Sequence, residues 1–405
     1  ESTMTAIPVD GRIRLRKGRE RRLRGGSPWV YSNELVHPEQ GLPAGALVEL
    51  EDHKGGYVAT AAYHPHTLLA ARVWTRERGT AIDRPLLARR LAASAARRTV
   101  VAAGWAGHRL IHAEADGMPG LVVDRYGELA VIQSTSAFGD RLVEGIADIL
   151  VGVHGCPLVL LRNDARGRGL EGLPDEVRWL RGSRDGPWEV DEGGVAIRFD
   201  PAGGQKTGLY LDMRTTRERI VDWSQGSELL ELHAYVGVAG VRAAAAGAAR
   251  VTLVDSSSAA CELARDNGAR AGVADQLDVR CADAGDVLKE LEPGSYDVVS
   301  CDPPSLIQRK KDLRRGTEAF RRLNYLALRA VRPGGLLVTS SCSHHLGWDA
   351  FSDLVPSAAR RAGRRVVRVF QGGAAPDHPV LPGHPPTDYL RCLAYLVEGE
   401  HGGSR

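Results

Sequence analysis

From Leu229 onward the chain alternates short apolar runs with helix-length stretches. Leu229–Leu232, Val251–Asp255, Asp278–Cys281, Tyr296–Cys301 and Leu336–Ser340 read as strands. An Ala-rich segment ending at Ala249 and the segment Ala259–Ala271 read as helices between them, and Val366–Gln371 and Arg391–Val397 are late strands. Strands joined by crossovers of this length cannot pair as hairpins. They form a mostly parallel sheet with helices on both faces. Ligands of such sheets bind beyond the carboxyl ends of the strands, where the strand order reverses. The residues just past each strand are therefore the ones to inspect.

The remainder of the chain has a different pattern. From Met4 to Arg76 short β-type runs (Arg12–Leu15, Pro28–Tyr31, Ala46–Glu51, Tyr57–Ala62, Ala70–Thr75) are separated by Gly and Pro, the pattern of a small β-barrel. Residues 77–188 open with a helix over Asp83–Ala103. Strands at Arg109–Ala113, Leu121–Asp124 and Leu129–Gln133, a helix at Arg141–Val151 and a strand at Leu158–Arg162 follow. Asn163–Pro187 reads as loop and linker. The expected division is 4–76 barrel, 77–188 central α/β domain and 189–405 Rossmann-like α/β domain.

With 405 residues, 43% hydrophobic and 25% charged, the chain can bury its cores without disulfides. Its six cysteines form no CxxC pair, so reduced thiols and no structural metal are expected. No run is long and apolar enough for a bilayer, and Glu1-Ser2-Thr3-Met4 opens no signal segment, so the expected location is cytoplasmic. Net charge is only +3, but basic residues cluster. Residues 11–24 hold eight basic and one acidic residue, and 309–315 hold five and one. Such clusters can neutralise phosphates, although a solvated charged face is the commoner meaning of either one alone.

The strand ends carry the chemistry. Glu231 ends the first strand, before His233-Ala234-Tyr235-Val236-Gly237-Val238-Ala239-Gly240, whose glycines allow close backbone approach. Asp255 ends the second strand, where an acid commonly holds a ribose, and Asp283 follows the third. The fourth strand ends Cys301-Asp302-Pro303-Pro304, a rigid loop presenting a carboxylate. The fifth runs into Ser341-Cys342-Ser343-His344-His345. A bland reading accompanies each of these: a tight turn, a helix cap, a strand stop and a buried small thiol.

Taken together, GGQKTGLYLDMR (203–214), ELHAYVGVAG (231–240), CDPPSL (301–306) and SSCSHH (340–345) resemble the class I S-adenosylmethionine-dependent large-subunit rRNA cytosine-5 methyltransferases that carry an N-terminal PUA domain. RLRKGRERRLRGGSPWVYSNEL (14–35), AAYHPHTLLAARVW (61–74), AEADGMPGLVVDRYG (113–127), APDHPV (375–380) and the strand around Tyr389–Tyr395 extend the likeness, in family order, over nearly the whole chain. The cofactor loop departs from the usual Phe-Ser/Cys-Tyr-Thr-Gly-Gly, with Val238 in place of the second glycine.

The resemblance implies S-adenosylmethionine as cofactor and 23S rRNA, or a large-subunit precursor, as partner. Relatives in this group suggest a homodimer. Cofactor contacts would come from Lys206, Thr207, Tyr210, Glu231, Tyr235, Gly237, Asp255, Ser256, Asp283 and Asp302, with Gln205 and Asp212 in the same closing segment. Pro303 and Pro304 would face the target base, and Arg19, Arg21 and Arg22 the RNA backbone. Trp29, Tyr31 and Tyr63 are stacking candidates, with core packing the commoner fate of such rings. Cys342 would be the nucleophile and Asp302 would hold the base edge, with Asp302, His344 or water as general base. Cys301 is the rival thiol, but strand alternation points it away from Asp302. The alternative is methyl transfer to another RNA base or to a small molecule.

Overall fold

In the computed structural model, residues 4–36, 41–307 and 309–400 are described; Glu1–Thr3 lie outside them. The chain forms two compact units. The first gathers the chain up to Trp188 with Asp200–Leu209 and Pro376–Thr387; the second gathers Glu189–Phe199, Tyr210–Ala375 and the chain from Asp388. Segments 200–209 and 376–387 thus leave the C-terminal part to which the sequence division assigns them. The reason is polar anchoring. Arg162 donates to the carbonyls of Pro201 (2.5 Å) and Gly204 (2.8 Å), and Asp377 accepts the Arg109 N–H (2.7 Å).

The first unit holds two five-stranded sheets. One comprises Gly11–Arg14, Trp29–Tyr31, Ala46–Glu51, Tyr57–Tyr63 and Leu69–Thr75, packed around Ile13, Leu15, Val30, Val48 and Leu50. The other lays Gly107–His112, Leu121–Tyr126, Leu129–Ser134, Leu158–Asn163 and Glu176–Arg181 side by side in chain order. Its last strand corrects the loop reading of Asn163–Pro187, because Glu176–Arg181 pairs antiparallel with Leu158–Asn163. Arg178 and Arg181 spend their charges on Glu144 and Asp148, which lie on the helix Val143–His154. A charged edge strand carries little of the apolar signal that marks a central one.

The second unit is built on seven strands: β1 (Glu228–Leu232), β2 (Arg250–Asp255), β3 (Leu277–Cys281), β4 (Tyr296–Cys301), β5 (Val331–Ser341), β6 (Arg364–Gly372) and β7 (Arg391–Glu400). Their order is β3-β2-β1-β4-β5-β7-β6. The first five run parallel, and β7 is antiparallel to both its neighbours. The crossovers are α1 (Val238–Ala245), α2 (Ser258–Arg270), α3 (Ala284–Glu290), α4 (Leu313–Ala330) and α5 (Trp348–Arg361). Leu232 is in register with Val254 and Cys301, and Cys301 with Thr339. One step further along each strand stand His233, Asp255, Asp302 and Ser340. The order reverses between β1 and β4, so the switch point lies at this row.

Candidate active site

The loop after β1 is conformationally costly. His233, Tyr235 and Gly237 all have left-handed backbones, at φ 59°, 52° and 76°. For the two non-glycine residues this conformation is held against its local preference by surrounding contacts. The Ala234 N–H donates to the Val254 carbonyl (3.0 Å), and the Tyr235 N–H to Asp255 Oδ2 (2.8 Å). Asn267 on α2 is fully buried. Its amide donates to the Val236 carbonyl (3.0 Å), and its oxygen accepts the Arg198 N–H (2.7 Å). Asn267 is absent from the sequence reading; a polar residue on the inner face of a helix is the only signal it leaves. The two glycines serve packing. A Cβ on Gly237 would lie 2.8 Å from Leu253 Cδ1, and one on Gly240 would overlap Leu253 and crowd Glu231. Val238, where the family pattern has glycine, is buried as the first residue of α1.

Four acids stand along the strand ends. Glu231 accepts the Gly240 N–H (2.7 Å) at the start of α1. Burial raises its carboxyl to about 7, against Gly240 and the Arg217 guanidinium, with Asp302 and Asp255 pushing the same way as burial. The Asp255 carboxylate receives the N–H groups of Tyr235 and Ser257, so it positions the loop; Ser256 beside it is exposed. Asp283 is the N-cap of α3, accepting from the Asp286 N–H (3.1 Å). Asp302 is hydrogen-bonded to the hydroxyl of Ser340 at the end of β5. Pro303 is buried behind it and Pro304 is exposed.

Cys342 follows β5 and is partly exposed. It packs with Tyr210, Phe370, Ala374 and Tyr389 against Met213, Leu390 and Cys392. Burial raises the Tyr210 hydroxyl, and Asp302, Tyr235, Asp212 and Cys342 push it the same way. Tyr210 and Tyr235 meet edge to face at 5.7 Å, and the Tyr389 hydroxyl donates to Asp212 Oδ2 (2.6 Å). Thiol, carboxylate and three tyrosines therefore share one site. The rival Cys301 is buried in the core with Leu230 and Leu232, and burial, then Asp302, raises its thiol. His344 lies 6.0 Å from the Tyr389 ring, its imidazole held below its ordinary range by burial and by Arg391.

Other expected site residues stand elsewhere. Lys206 and Thr207 belong to the first unit. The Thr207 hydroxyl is buried, donates to Asp124 Oδ2 (2.6 Å) and is bonded to the Tyr126 hydroxyl (2.9 Å). Its side chain anchors this segment to Asp124 and Tyr126. Much of the basic arm is paired internally: Arg12 with Glu49, Arg14 with Glu51, Arg22 with Glu34 and Arg24 with Asp52. Arg19 and Arg21 are exposed. Tyr63 is buried and the Trp29 ring N–H donates to Glu114 (2.9 Å); Tyr31 is exposed, with Arg22 over its ring. Among the described residues, no group of three or more His, Cys, Asp or Glu could hold a metal ion, and no helix is long and apolar enough to cross a membrane.

A PUA-like domain family matches residues 13–76, and the S-adenosylmethionine-dependent methyltransferase family matches residues 170–380. The chain is similar to ribosomal RNA large subunit methyltransferase I of Shewanella frigidimarina, at 34% identity over 393 residues, 95% of this chain and 99% of the relative. The protein of that name from Shewanella denitrificans is 36% identical over 397 residues, again 95% of this chain and 99% of its own length. Among solved structures, one from Streptococcus mutans described as a SAM-dependent methyltransferase candidate has a TM-score of 0.80 at 18% identity, covering 95% of this chain and 100% of its own. A methyltransferase candidate solved with SAH has a TM-score of 0.81 at 18% identity, covering 95% and 99%. At that identity these structures speak for the fold alone.

Proposed function

We propose, from the premise that this chain belongs to the PUA-domain family of S-adenosylmethionine-dependent ribosomal RNA large subunit methyltransferases, that it methylates carbon 5 of a cytosine in 23S rRNA. The observation that carries this reading is the packing of Cys342 and Tyr210 on one cluster beyond the strand ends, with the Asp302 carboxylate near enough to raise the Tyr210 hydroxyl.

The site suits the cofactor. S-adenosylmethionine carries an ammonium and a sulfonium, and a crowd of carboxylates is a place for cations. Glu231, raised to about 7 by burial and by the other acids, is stabilised in its ionised form when an ammonium comes beside it. We assign Glu231, Tyr235 and the Gly237 turn to the amino-acid end, Asp255 and Ser256 to the ribose, and Asp283 to the adenine. Tyr210 and Asp302 flank the transferring end. Bound there, the cofactor supplies an electrophilic methyl group.

The chain's own residues do the rest. Carbon 5 of cytosine is a poor nucleophile. Cys342, as thiolate, bonds from Sγ to carbon 6 and so gives carbon 5 enamine character. Asp302 holds the N3 and amino edge of the base, kept in place by Ser340. Pro303 and Pro304 keep that loop rigid. Once carbon 5 carries the methyl group, its proton leaves to Asp302, His344 or water, and the Sγ–C6 bond breaks. The target base must be flipped out or unpaired to reach Cys342. Arg19 and Arg21 are exposed for phosphate contacts, which add affinity without base choice.

The test is methyl transfer from labelled S-adenosylmethionine to unmodified rRNA, with the product nucleoside identified by mass spectrometry, for wild type and Cys342→Ala. The expected outcome is 5-methylcytidine from wild type and none from the variant. Full activity in the variant, or a methyl group on nitrogen, overturns the thiolate mechanism and points to the alternative of another base.

A further inference from the structure

The second unit contains a pair of thiols that the methyl-transfer reading does not use. Cys261 is the fourth residue of α2 and is buried. Its thiol donates to the carbonyl of Asp255 (3.4 Å) and lies 3.9 Å from that of Arg280. Cys281 ends β3, is exposed, and is in register with Asp255 on β2. Its thiol points at the Ser256 carbonyl (3.8 Å). The two side chains face one another for a structural reason. Leu277 lies against Gly268 of α2, where a Cβ would overlap it. Side chains alternate along a strand, so Leu277, Val279 and Cys281 all face α2, the helix that carries Cys261. Cys281 is therefore the exposed member of a thiol pair that lies against the backbone of Asp255 and Ser256.

We propose that Cys261 and Cys281 form an oxidant-responsive modification site, closing to a disulfide that weakens the cofactor's ribose site. The effect on the cofactor rests on the assignment of Asp255 and Ser256 to the ribose; formation of the bond does not. The oxidant is a peroxide. The Cys281 thiolate attacks one peroxide oxygen, the O–O bond breaks, and water and a sulfenic acid result. The Cys261 sulfur then attacks the Cys281 sulfur, the S–S bond forms, and the S–O bond breaks with loss of a second water. Two thiols and one peroxide give one disulfide and two waters. Exposure makes Cys281 the thiol the oxidant meets first. Burial, together with the Cys281 thiol, raises Cys261 to about 11, which leaves it to act as the resolving partner. A disulfide brings the sulfurs to about 2.05 Å. Drawing them together removes the Cys261 donor from the Asp255 carbonyl and shifts the strand end whose carboxylate holds Tyr235.

The test uses the full chain in a Cys342→Ala background, so that oxidation of the nucleophile does not contribute. Hydrogen peroxide is added, peptides are mapped without reduction, and S-adenosylmethionine affinity is measured by calorimetry before and after dithiothreitol. The expected result is a 261–281 cross-linked peptide and a tenfold or greater loss of affinity, restored by dithiothreitol. Cys281→Ser should bind the cofactor like the reduced protein and resist peroxide. Absence of the cross-link overturns the proposal, as does an equal peroxide loss in Cys281→Ser. Reduced protein that fails to bind S-adenosylmethionine sinks the cofactor reading instead, while a cross-linked peptide in that same protein leaves the thiol pair standing.

Discussion

Two buried acids of the first unit and one acid at the second unit's switch point are held in opposite ways. In the first unit, Asp124 and Asp116 lie against guanidinium groups. Asp124 meets Arg109 through Oδ1–Nε at 2.8 Å and Oδ2–Nη2 at 2.9 Å, and Asp116 meets both Arg97 and Arg98. Burial pushes both carboxyls up, yet the arginines outweigh it and hold them below the usual carboxylate range. At the strand ends of the second unit Glu231 is partly buried, and there desolvation wins. The second unit can build the paired kind elsewhere: Glu192, fully buried, is ringed by Arg214, Arg217 and Arg242 and is held low by them against burial. Asp124, Asp116 and Glu192 come with their cations. The acid at the switch point keeps a raised carboxyl, as a group does whose cation arrives with a ligand.

The largest effect that would test this contrast is on Asp124. Asp124→Asn leaves Arg109 buried without its charge partner, and the expected loss of stability is about 3–5 kcal/mol, read by urea unfolding. Asp302→Asn should do the reverse. Turnover falls by about 10²–10³, as for removal of one positioned catalytic group, with a melting temperature close to wild type. An Asp302 variant that unfolds, or an Asp124 variant as stable as wild type, breaks the distinction.

Gly240→Ala sharpens it from the packing side. The added Cβ meets Leu253 and the Glu231 carboxylate, and overpacking of this kind costs about 1–3 kcal/mol. Cofactor affinity should drop with it, which a thermal-shift titration with S-adenosylmethionine would show.

The smallest effect is a pH dependence at Glu231. The groups around it are Asp302, Asp255, Arg217 and the Gly240 N–H. Its folded value, about 7, lies above the ordinary 4.5, so its contribution to the stability of the free protein is fully present below 4.5 and lost as pH rises through 7. Cofactor affinity moves oppositely, because an ammonium favours the carboxylate. Affinity should weaken below about pH 7 by at most about tenfold per unit, and Glu231→Gln should flatten the profile. A flat profile in wild type would mean that Glu231 does not meet the cofactor's ammonium.

Much of the second unit was legible along the chain. Each expected strand from Leu229 on has its counterpart, and Tyr296–Cys301 coincides with β4. Apolar runs broken by helix-length crossovers are local signals, and a parallel sheet displays them fully because both its faces are buried. The positions of Asp302 after β4 and Cys342 after β5 were legible because a strand's end is marked by the local run of residues. Glu176–Arg181 was missed because an edge strand satisfied by Glu144 and Asp148 looks polar. Asn267 was missed because its partners, Val236 and Arg198, lie far from it in the chain. The bonds of the Thr207 hydroxyl to Asp124 and Tyr126 leave no local mark either, because the partners lie 83 and 81 positions away.

By itself, the sequence determined the α/β class of the second unit, the row of residues at its switch point and the family motifs, since each depends on neighbours within a few positions. Only the tertiary structure decided which thiol is buried and which is partly exposed, which acids bring their own cations, and which segments leave one unit for the other. Those outcomes depend on desolvation and on pairing between distant residues. Neither has a period along the chain.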